Sequence, residues 1–278
     1  MNERMTVPRS AAWTSIGALA WREWVRFVRQ PNRVIGAVGQ PVLFWLLFGA
    51  GFSSSFAVAG KVESANYREF FFPGTLTLIL LFTAIFATIS IIEDRREGFL
   101  QSVLVAPTPR WAMVFGKLLG GTLIAVAQAT LFLMLGWAIG VPLTLAGVAA
   151  TIATLFVVGL ALTAMGFVIA WRLDSTQGFH AVMSVFLLPM WLLSGSFFPP
   201  SDNWLSWIVR VNPMTYATAL IRRVAYLGAD DEVMARAVPT EWHIPSLEVC
   251  IAVTLIFLTT MCVAAWLVAG RRTSGDLL

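Results

Sequence analysis

The sequence holds few residues that could form a chemical site. Only 12% of its 278 residues are charged, and it contains two cysteines and two histidines. Cys250 and Cys262 share one apolar segment and, if that segment is helical, lie about 18 Å apart, too far for a disulfide. His180 and His243 have no carboxylate or thiol at ligand spacing, so no metal site is predicted. Because no acid, base and nucleophile converge in the sequence, a catalytic site is not expected.

A nucleotide-binding signature is missing as well. The nearest approach to a phosphate-binding loop is Gly116-Lys117, which is followed by leucine at the edge of an apolar segment. No polar segment is long enough to hold a nucleotide-binding domain, so the chain itself is expected to bind no cofactor. Its arginines are dispersed between apolar segments, which argues against nucleic-acid binding. No signal peptide is expected, because the first residues lack an apolar stretch.

Apolar residues dominate what remains. They make up 58% of the chain, against roughly 45–50% in soluble proteins, and the mean hydropathy is +0.78. The twelve tryptophans are typical of membrane–water interfaces. The sequence therefore predicts an all-α membrane protein with a single transmembrane domain over 1–278. Its six predicted transmembrane helices cover 34–56, 70–92, 111–140, 144–171, 179–198 and 247–268.

Lysine and arginine are unevenly shared between the two sides of these helices. Most of them fall in the N-terminal segment, in the loop after the second helix and in the C-terminal tail, which predicts that both termini are cytoplasmic. The segment 13–30 is amphipathic and predicted to lie flat at the membrane surface, with Arg22, Arg26 and Arg29 toward lipid headgroups. Lys117, near the start of the third helix, is expected to reach the headgroups too.

Five charged residues, 93–97, follow the second predicted helix directly. After Gly98 the apolar residues fall on one side of a short helix, 98–106, and Pro107 ends it. Thr108 and Pro109 then begin the next helix. An apolar face displayed beside charges predicts a docking surface. The alternative is a solvated turn whose charges only fix the topology.

A longer loop, 199–246, precedes the last predicted helix. Within it Asn212 and Pro213 form a cap and a first turn, which predicts a helix that continues to Arg222. From the residues alone, a short helix beside tryptophans is expected to anchor the fold at the membrane interface. In the fifth helix Pro189 predicts a kink, and nearby residues are candidates for a pathway wall: Phe186, Met190 and Ser194.

The predicted helices carry no Asp, Glu, Arg or His in their interiors. Proton- or ion-coupled carriers usually need such groups at membrane depth, so their absence disfavours that class. Gln40 and Gln128 are expected to form hydrogen bonds between helices rather than to bind a ligand.

Two stretches resemble a known family. Arg96-Glu97-Gly98, Leu100, Val105-Ala106-Pro107 and Gly116-Lys117 resemble the first cytoplasmic loop of ABC-2-type permeases, the membrane subunits of ABC exporters. The run 211–216, Val-Asn-Pro-Met-Thr-Tyr, followed by Arg222, is similar to the family's NP-(L/M)-x-Y element. Drug exporters and Nod-factor exporters are the members that the chain resembles most.

The resemblance implies a coupling helix at 98–106 that docks on a separate cytoplasmic ATPase, which would hold ATP and Mg. It implies a homodimer or a pair with a paralogous permease, contact with membrane lipid, and a place in the plasma membrane, the bacterial inner membrane. The cargo would be an amphipathic or lipid-linked drug, lipid or saccharide moved out of the cytoplasm. A stand-alone channel, a secondary carrier and a membrane-embedded enzyme are the alternatives.

The residues that the resemblance implies for coupling to the ATPase are Glu93, Arg96, Glu97, Gly98, Phe99, Leu100, Val103, Leu104 and Pro107. The resemblance also implies that short helices within 199–246 re-enter the outer leaflet, and that the outer gate is formed by Asn212, Pro213, Met214 and Tyr216.

Overall fold

A computed structural model describes residues 9–51, 67–105, 108–138, 140–196, 205–237 and 245–270. These residues form helices joined by short connections, and no strand occurs among them, so the predicted all-α fold is confirmed. The helices are α1 (Arg9–Val28), α2 (Pro31–Gly51), α3 (Tyr67–Ala87), α4 (Ile89–Arg96), α5 (Phe99–Val105), α6 (Arg110–Ala138), α7 (Leu145–Arg172), α8 (Thr176–Trp191), α9 (Ser206–Val211), α10 (Pro213–Ala225), α11 (Asp231–Ala237) and α12 (Leu247–Gly270).

Five helical stretches of the described chain are long and apolar enough to cross a membrane. They correspond to the last five predicted transmembrane helices. The first predicted one, 34–56, extends into residues outside the described part, and its described portion forms α2. The count of six therefore stays a prediction. The five stretches are Phe70–Arg96, Arg110–Ala138, Leu145–Arg172, Thr176–Ser196 and Leu247–Gly270.

α3 lies at the centre of the bundle. Its side chains are buried all round the helix, and Phe71, Leu76 and Leu80 are fully buried. A helix that is apolar on every side is stable only where neighbours enclose it, and α2, α6, α7, α8 and α10 pack against α3. The hydroxyl of Thr83 donates to Oε1 of Gln128 on α6 over 2.6 Å, which is the hydrogen bond between helices predicted for Gln128. The side chain of Gln40 lies outside the described residues.

α12 is the most peripheral of the five long helices. It packs against α7 and α10 and leaves Leu255, Ile256 and Trp266 exposed. Apolar side chains exposed along a helix of this length fit contact with lipid. This arrangement is that of a multi-pass membrane protein.

Two glycines mark the breaks between helices. Gly98 has φ +74° and separates α4 from α5, while Gly195 has φ +74° just beyond α8. Glycine adopts this left-handed conformation without a Cβ clash. Each break turns the chain at one end of the bundle, and each lies beside a cluster of polar contacts.

Candidate functional site

The first cluster depends on a close approach of α1 to α6. A Cβ atom on Gly116 would lie 2.9 Å from Cβ of Leu19, and one on Gly120 would lie 2.8 Å from Cβ of Glu23. Only glycine permits backbones to approach this closely. The contact buries Glu23 to 5% exposure against α6.

Lys117 lies between these two glycines and is itself buried, with 6% exposure. Its Nζ lies 2.5 Å from Oε1 of Glu23 and also contacts the carboxylate of Asp94, with the hydroxyl of Ser90 at 3.5 Å. The expectation that Lys117 reaches the lipid headgroups is therefore wrong. Two carboxylates inside the protein provide the partners that a buried ammonium requires.

Asp94 is the centre of the cluster and is fully buried. The guanidinium of Arg22 donates to both of its oxygens, at 2.8 and 3.0 Å, in the two-pronged geometry that makes arginine–carboxylate pairs strong. Arg26 donates to Asp94 at 3.2 Å and to Glu93 at 2.7 Å. The prediction that Arg22 and Arg26 face headgroups is corrected, because the acids of α4 hold both.

We name Arg22, Glu23, Arg26, Glu93, Asp94 and Lys117 the ion-pair cluster. Its three cations match its three carboxylates, and it joins α1, α4 and α6. Burial disfavours the charged form of Arg22, but the hydrogen bond and the charge of Asp94 outweigh burial and raise the pKa of Arg22. Arg22 is therefore charged at any physiological pH.

The two arginines that follow Asp94 point elsewhere. Arg95 donates to the carbonyl of Trp171 at 2.7 Å and lies 3.3 Å from the carboxylate of Asp174. Arg96 donates to the carbonyl of Asp174 at 3.1 Å. Arg95 and Arg96 thus bind the end of α4 to the turn between α7 and α8. The charged residues 93–97 therefore form contacts within the protein, which the alternative of a solvated turn does not predict.

α5 begins at the Gly98 break and packs back on this region. The guanidinium of Arg22 lies 3.7 Å from the ring centroid of Phe99. Leu100 is only 3% exposed, so this residue, expected on a displayed face, packs into the chain. Val105, at the far end of α5, is 85% exposed.

The other residues predicted to couple to an ATPase are placed as follows. The side chain of Glu97 is 60% exposed, with a carboxylate oxygen 3.7 Å from Arg26, and Val103 is partly buried. The side chain of Leu104 and all of Pro107 lie outside the described residues. Of these residues, Glu93 belongs to the ion-pair cluster and Phe99 contacts it, while Arg96 contacts the α7–α8 turn.

A chain of contacts joins α5 to the ion-pair cluster. Phe99 of α5 contacts Arg22, and Arg22 is bonded to Asp94, which also contacts Lys117 of α6. α5 is thereby connected to α1, α4 and α6.

A second cluster lies where α8 ends. Asn212 accepts a hydrogen bond from the amide of Met214 at 3.0 Å, so it caps α10 as predicted. Its Nδ2 donates to the carbonyl of Met190 at 2.7 Å. The hydroxyl of Thr215 lies 3.4 Å from the carbonyl of Leu193. Side chains around the start of α10 therefore satisfy carbonyls at the irregular end of α8.

Arg222 is the largest polar group in this second cluster. It is 2% exposed and donates to the carbonyl of Phe70 at 2.9 Å and to that of Gly195 at 3.2 Å. Burial lowers the pKa of Arg222 to about 10, which still leaves it charged at neutral pH. It connects the start of α3 to the broken end of α8.

The remaining residues of the predicted outer gate have structural contacts in α10. Pro213 occupies the first turn, Met214 is fully buried, and the hydroxyl of Tyr216 donates to the carbonyl of Arg210 at 2.8 Å. These contacts place the run at the turn between α9 and α10 and in the first turn of α10. A gating role stays a prediction.

The three candidates for a pathway wall do not share one surface. Phe186 is 65% exposed and Met190 is half-buried, whereas Ser194 is 2% exposed. Ser194 donates to the carbonyl of Trp191 at 2.6 Å and pairs with the hydroxyl of Ser196. Ser194 is thus placed in the second cluster, while Phe186 faces outward.

Sequence reasoning missed the role of Glu23, Asp94 and Arg222. A signal existed for Glu23, which is the only acid in the basic amphipathic segment 13–30. Asp94 is one of five adjacent charged residues, 93–97, and no feature of the sequence distinguishes it from the other four. Arg222 followed a recognised element, but its burial depends on the contact of α10 with α3.

Comparison with known proteins agrees with this architecture. The chain is 29% identical over 209 residues to ycf38 of Cyanophora paradoxa, named as a transport permease, covering 73% of this chain and 71% of that protein. It is 28% identical over 174 residues to YbhR of Escherichia coli K12, named as a multidrug ABC transporter permease, covering 61% of this chain and 47% of YbhR. The match therefore spans about half the length of YbhR.

A third relative is Nodulation protein J of Rhizobium leguminosarum bv. viciae, which is 24% identical over 201 residues, covering 68% of this chain and 73% of that protein. The family model described as ABC-2 type transporter matches residues 14–226, which include most of α1, the ion-pair cluster and α10. Since this match covers well over half of the chain, the protein belongs to the ABC-2 type transporter family.

Proposed function

We propose that this chain is the permease subunit of an ATP-driven exporter whose ATPase is a separate protein. Membership of the ABC-2 family supports a transport role. Two related proteins carry the names of a multidrug ABC transporter permease and of a nodulation protein. The cargo proposed is an amphipathic or lipid-linked drug, lipid or saccharide, carried out of the cytoplasm.

The ion-pair cluster is the observation that carries this proposal. α5 is short, follows a glycine break and contacts the cluster through Phe99. A partner that pushes on α5 would move α1 and α6 with it. The exposed part of α5, which includes Gln101, Ser102 and Val105, is the surface proposed to meet the ATPase.

ATP and Mg would be held by that partner, and the permease would act as a homodimer or beside a paralogue, since paired ATPases require paired membrane subunits. The excess of arginine at the α1, α5 and α7–α8 end supports a cytoplasmic position for this end and for both termini. The proposed location is the plasma membrane, the inner membrane of a bacterium.

Affinity purification of the tagged chain from its native membrane tests the proposal. We expect a second chain with a phosphate-binding loop to co-purify in fixed stoichiometry and to hydrolyse ATP. If a Val105→Asp variant still retains that chain, the exposed part of α5 is not the surface that contacts the ATPase. Transport by the purified chain alone, driven by an ion gradient without ATP, would instead establish the secondary carrier.

A further inference from the structure

One side of α1 is exposed and apolar. Trp13 and Trp21 are 68% and 66% exposed, and Val28 is 53% exposed. At about 100° per residue these three side chains fall within about 80° of one another around the helix, and they extend over about 22 Å of its length. An apolar strip of this length indicates a surface that contacts something other than water.

The exposed side of α1 continues onto the exposed side of α6. The rings of Trp13 and Trp111 meet edge to face with their centroids 6.2 Å apart, and Phe115, one turn further along α6, is exposed as well. α6 is long and apolar enough to cross a membrane, so apolar side chains exposed on it fit contact with lipid. Tryptophan is typical of the headgroup level. Membrane lipid is therefore the partner that best fits the exposed side of α1.

Arginines form one edge of this apolar side. The amide of Arg29 donates to the carbonyl of Val25 at 3.1 Å and so continues the helical bonding of α1, which places Arg29 about 80° around the helix from Trp21. Arg22 and Arg26 lie farther around, where the carboxylates of the ion-pair cluster hold them. Arg29 is exposed and forms no ion pair with any other residue of the described chain. Its charge is thus available to a ligand.

An open groove of about 580 Å³ connects Arg29 with the apolar side of α1. Trp21 and Val25 contribute apolar wall, and Arg22 and Arg26 contribute polar wall. Because the last two arginines already bind carboxylates, Arg29 is the cation through which the groove can take up a new anion. A molecule that joins an anionic group to an apolar part matches both halves of the groove.

We infer that this groove binds the phosphate of an anionic phospholipid, with Arg29 on the phosphate and with Trp21 and Val25 on the adjoining glycerol and acyl chain. Arginine binds phosphate through strong, two-pronged hydrogen bonds, and one basic side chain near an anionic membrane surface strengthens binding about fivefold. The lipid would hold α1 at a fixed depth one turn away from Arg26 of the ion-pair cluster. The inference does not rest on the proposed function.

Native mass spectrometry of the purified permease, without any ATPase, tests the site by counting bound lipids. We expect one phosphatidylglycerol per chain to bind more tightly than phosphatidylcholine with the same acyl chains. Arg29→Gln should weaken the binding of phosphatidylglycerol about fivefold and should fold normally, because it changes an exposed side chain. The matched control is Arg172→Gln, which removes an equal charge at an exposed position beside the buried Trp171 and should leave this binding unchanged. Unchanged binding in Arg29→Gln, or an equal loss in both variants, would overturn the inference.

A second measurement locates the lipid on the unaltered protein. Phosphatidylglycerol with a diazirine in its headgroup should modify Trp21, Val25 or Arg29, and adducts confined to α12 would contradict the site. Inorganic phosphate at the same concentration should not displace the lipid, and displacement would refute the phospholipid in favour of a free anion. If Arg29→Gln binds phosphatidylglycerol normally but loses a co-purifying ATPase, the surface belongs to the ATPase and the inference is wrong. Neither lipid measurement requires the ATPase, so failure here leaves the proposed function to its own test.

Discussion

Nζ of Lys117 lies 2.5 Å from Oε1 of Glu23, and this contact joins α6 to α1 where both side chains are buried. A lysine at this depth is stable only because carboxylates from two other helices surround it. The relationship explains why α1 packs on the bundle instead of lying free on a membrane surface.

Removing the ammonium should destabilise the protein. Lys117→Met leaves Glu23 and Asp94 buried with one cation fewer, so we expect the free energy of unfolding to fall by about 3 kcal/mol or more. Thermal unfolding in detergent measures the change. Adding Glu23→Gln to Lys117→Met should restore part of the loss, since the double variant removes one charge of each sign. Simple addition of the two losses would show that the pair is not coupled.

Two glycine substitutions should change stability in opposite directions. Gly120→Ala on α6 places a Cβ 2.8 Å from Cβ of Glu23, whereas a Cβ on Gly17, in the contacting helix α1, would have nothing within 4 Å. We expect Gly120→Ala to lower the free energy of unfolding by about 1–3 kcal/mol through overpacking. Gly17→Ala should raise it by up to about 1 kcal/mol through helix propensity. Equal effects would contradict the close α1–α6 contact.

The two ends of α5 should respond differently to the same substitution. Leu100→Asp buries a carboxylate, and we expect a loss of about 3 kcal/mol or more, with reduced protein in the membrane. Val105→Asp changes an exposed side chain and should alter the free energy of unfolding by less than about 0.5 kcal/mol while weakening ATPase binding. Membrane abundance and partner retention are measured together. A folded Leu100→Asp protein of normal stability would refute the inward packing of α5.

The positions of the helices could be predicted from the sequence, but the side-chain contacts between helices could not. Hydropathy located the long helices, and Asn212 with Pro213 located the start of α10, because these signals are local. The pairing of Arg22 with Asp94 joins residues far apart in the chain, and no local pattern specifies it. Lys117 was misplaced for the same reason, since snorkelling and internal pairing are distinguished only by what packs beside the side chain.

Asn212 has two separable contacts, and two substitutions should distinguish them. Asn212→Ser keeps a hydroxyl acceptor for the amide of Met214 but loses the donor to the carbonyl of Met190, so we expect a loss of about 1–3 kcal/mol. Asn212→Ala loses the cap as well and should cost about 1 kcal/mol more. Chemical or thermal unfolding measures both. Equal stability of Asn212→Ser and the unaltered protein would show that the contact with α8 contributes nothing.

Arg22 contacts Phe99 of α5, and its replacement most directly tests the proposed transmission of motion from α5 to the ion-pair cluster. In Arg22→Gln, Asp94 retains Arg26 and Lys117. Because the side chain of Arg22 is 31% exposed whereas that of Lys117 is 4% exposed, we expect a smaller loss of stability than in Lys117→Met, and a folded protein that still binds the proposed ATPase. The decisive measurement is ATP hydrolysis and cargo transport recorded together in proteoliposomes that contain the purified complex. We expect hydrolysis to persist while transport per ATP falls at least about tenfold, the factor that roughly 1.4 kcal/mol of lost coupling produces. Unchanged transport per ATP in Arg22→Gln would contradict the account.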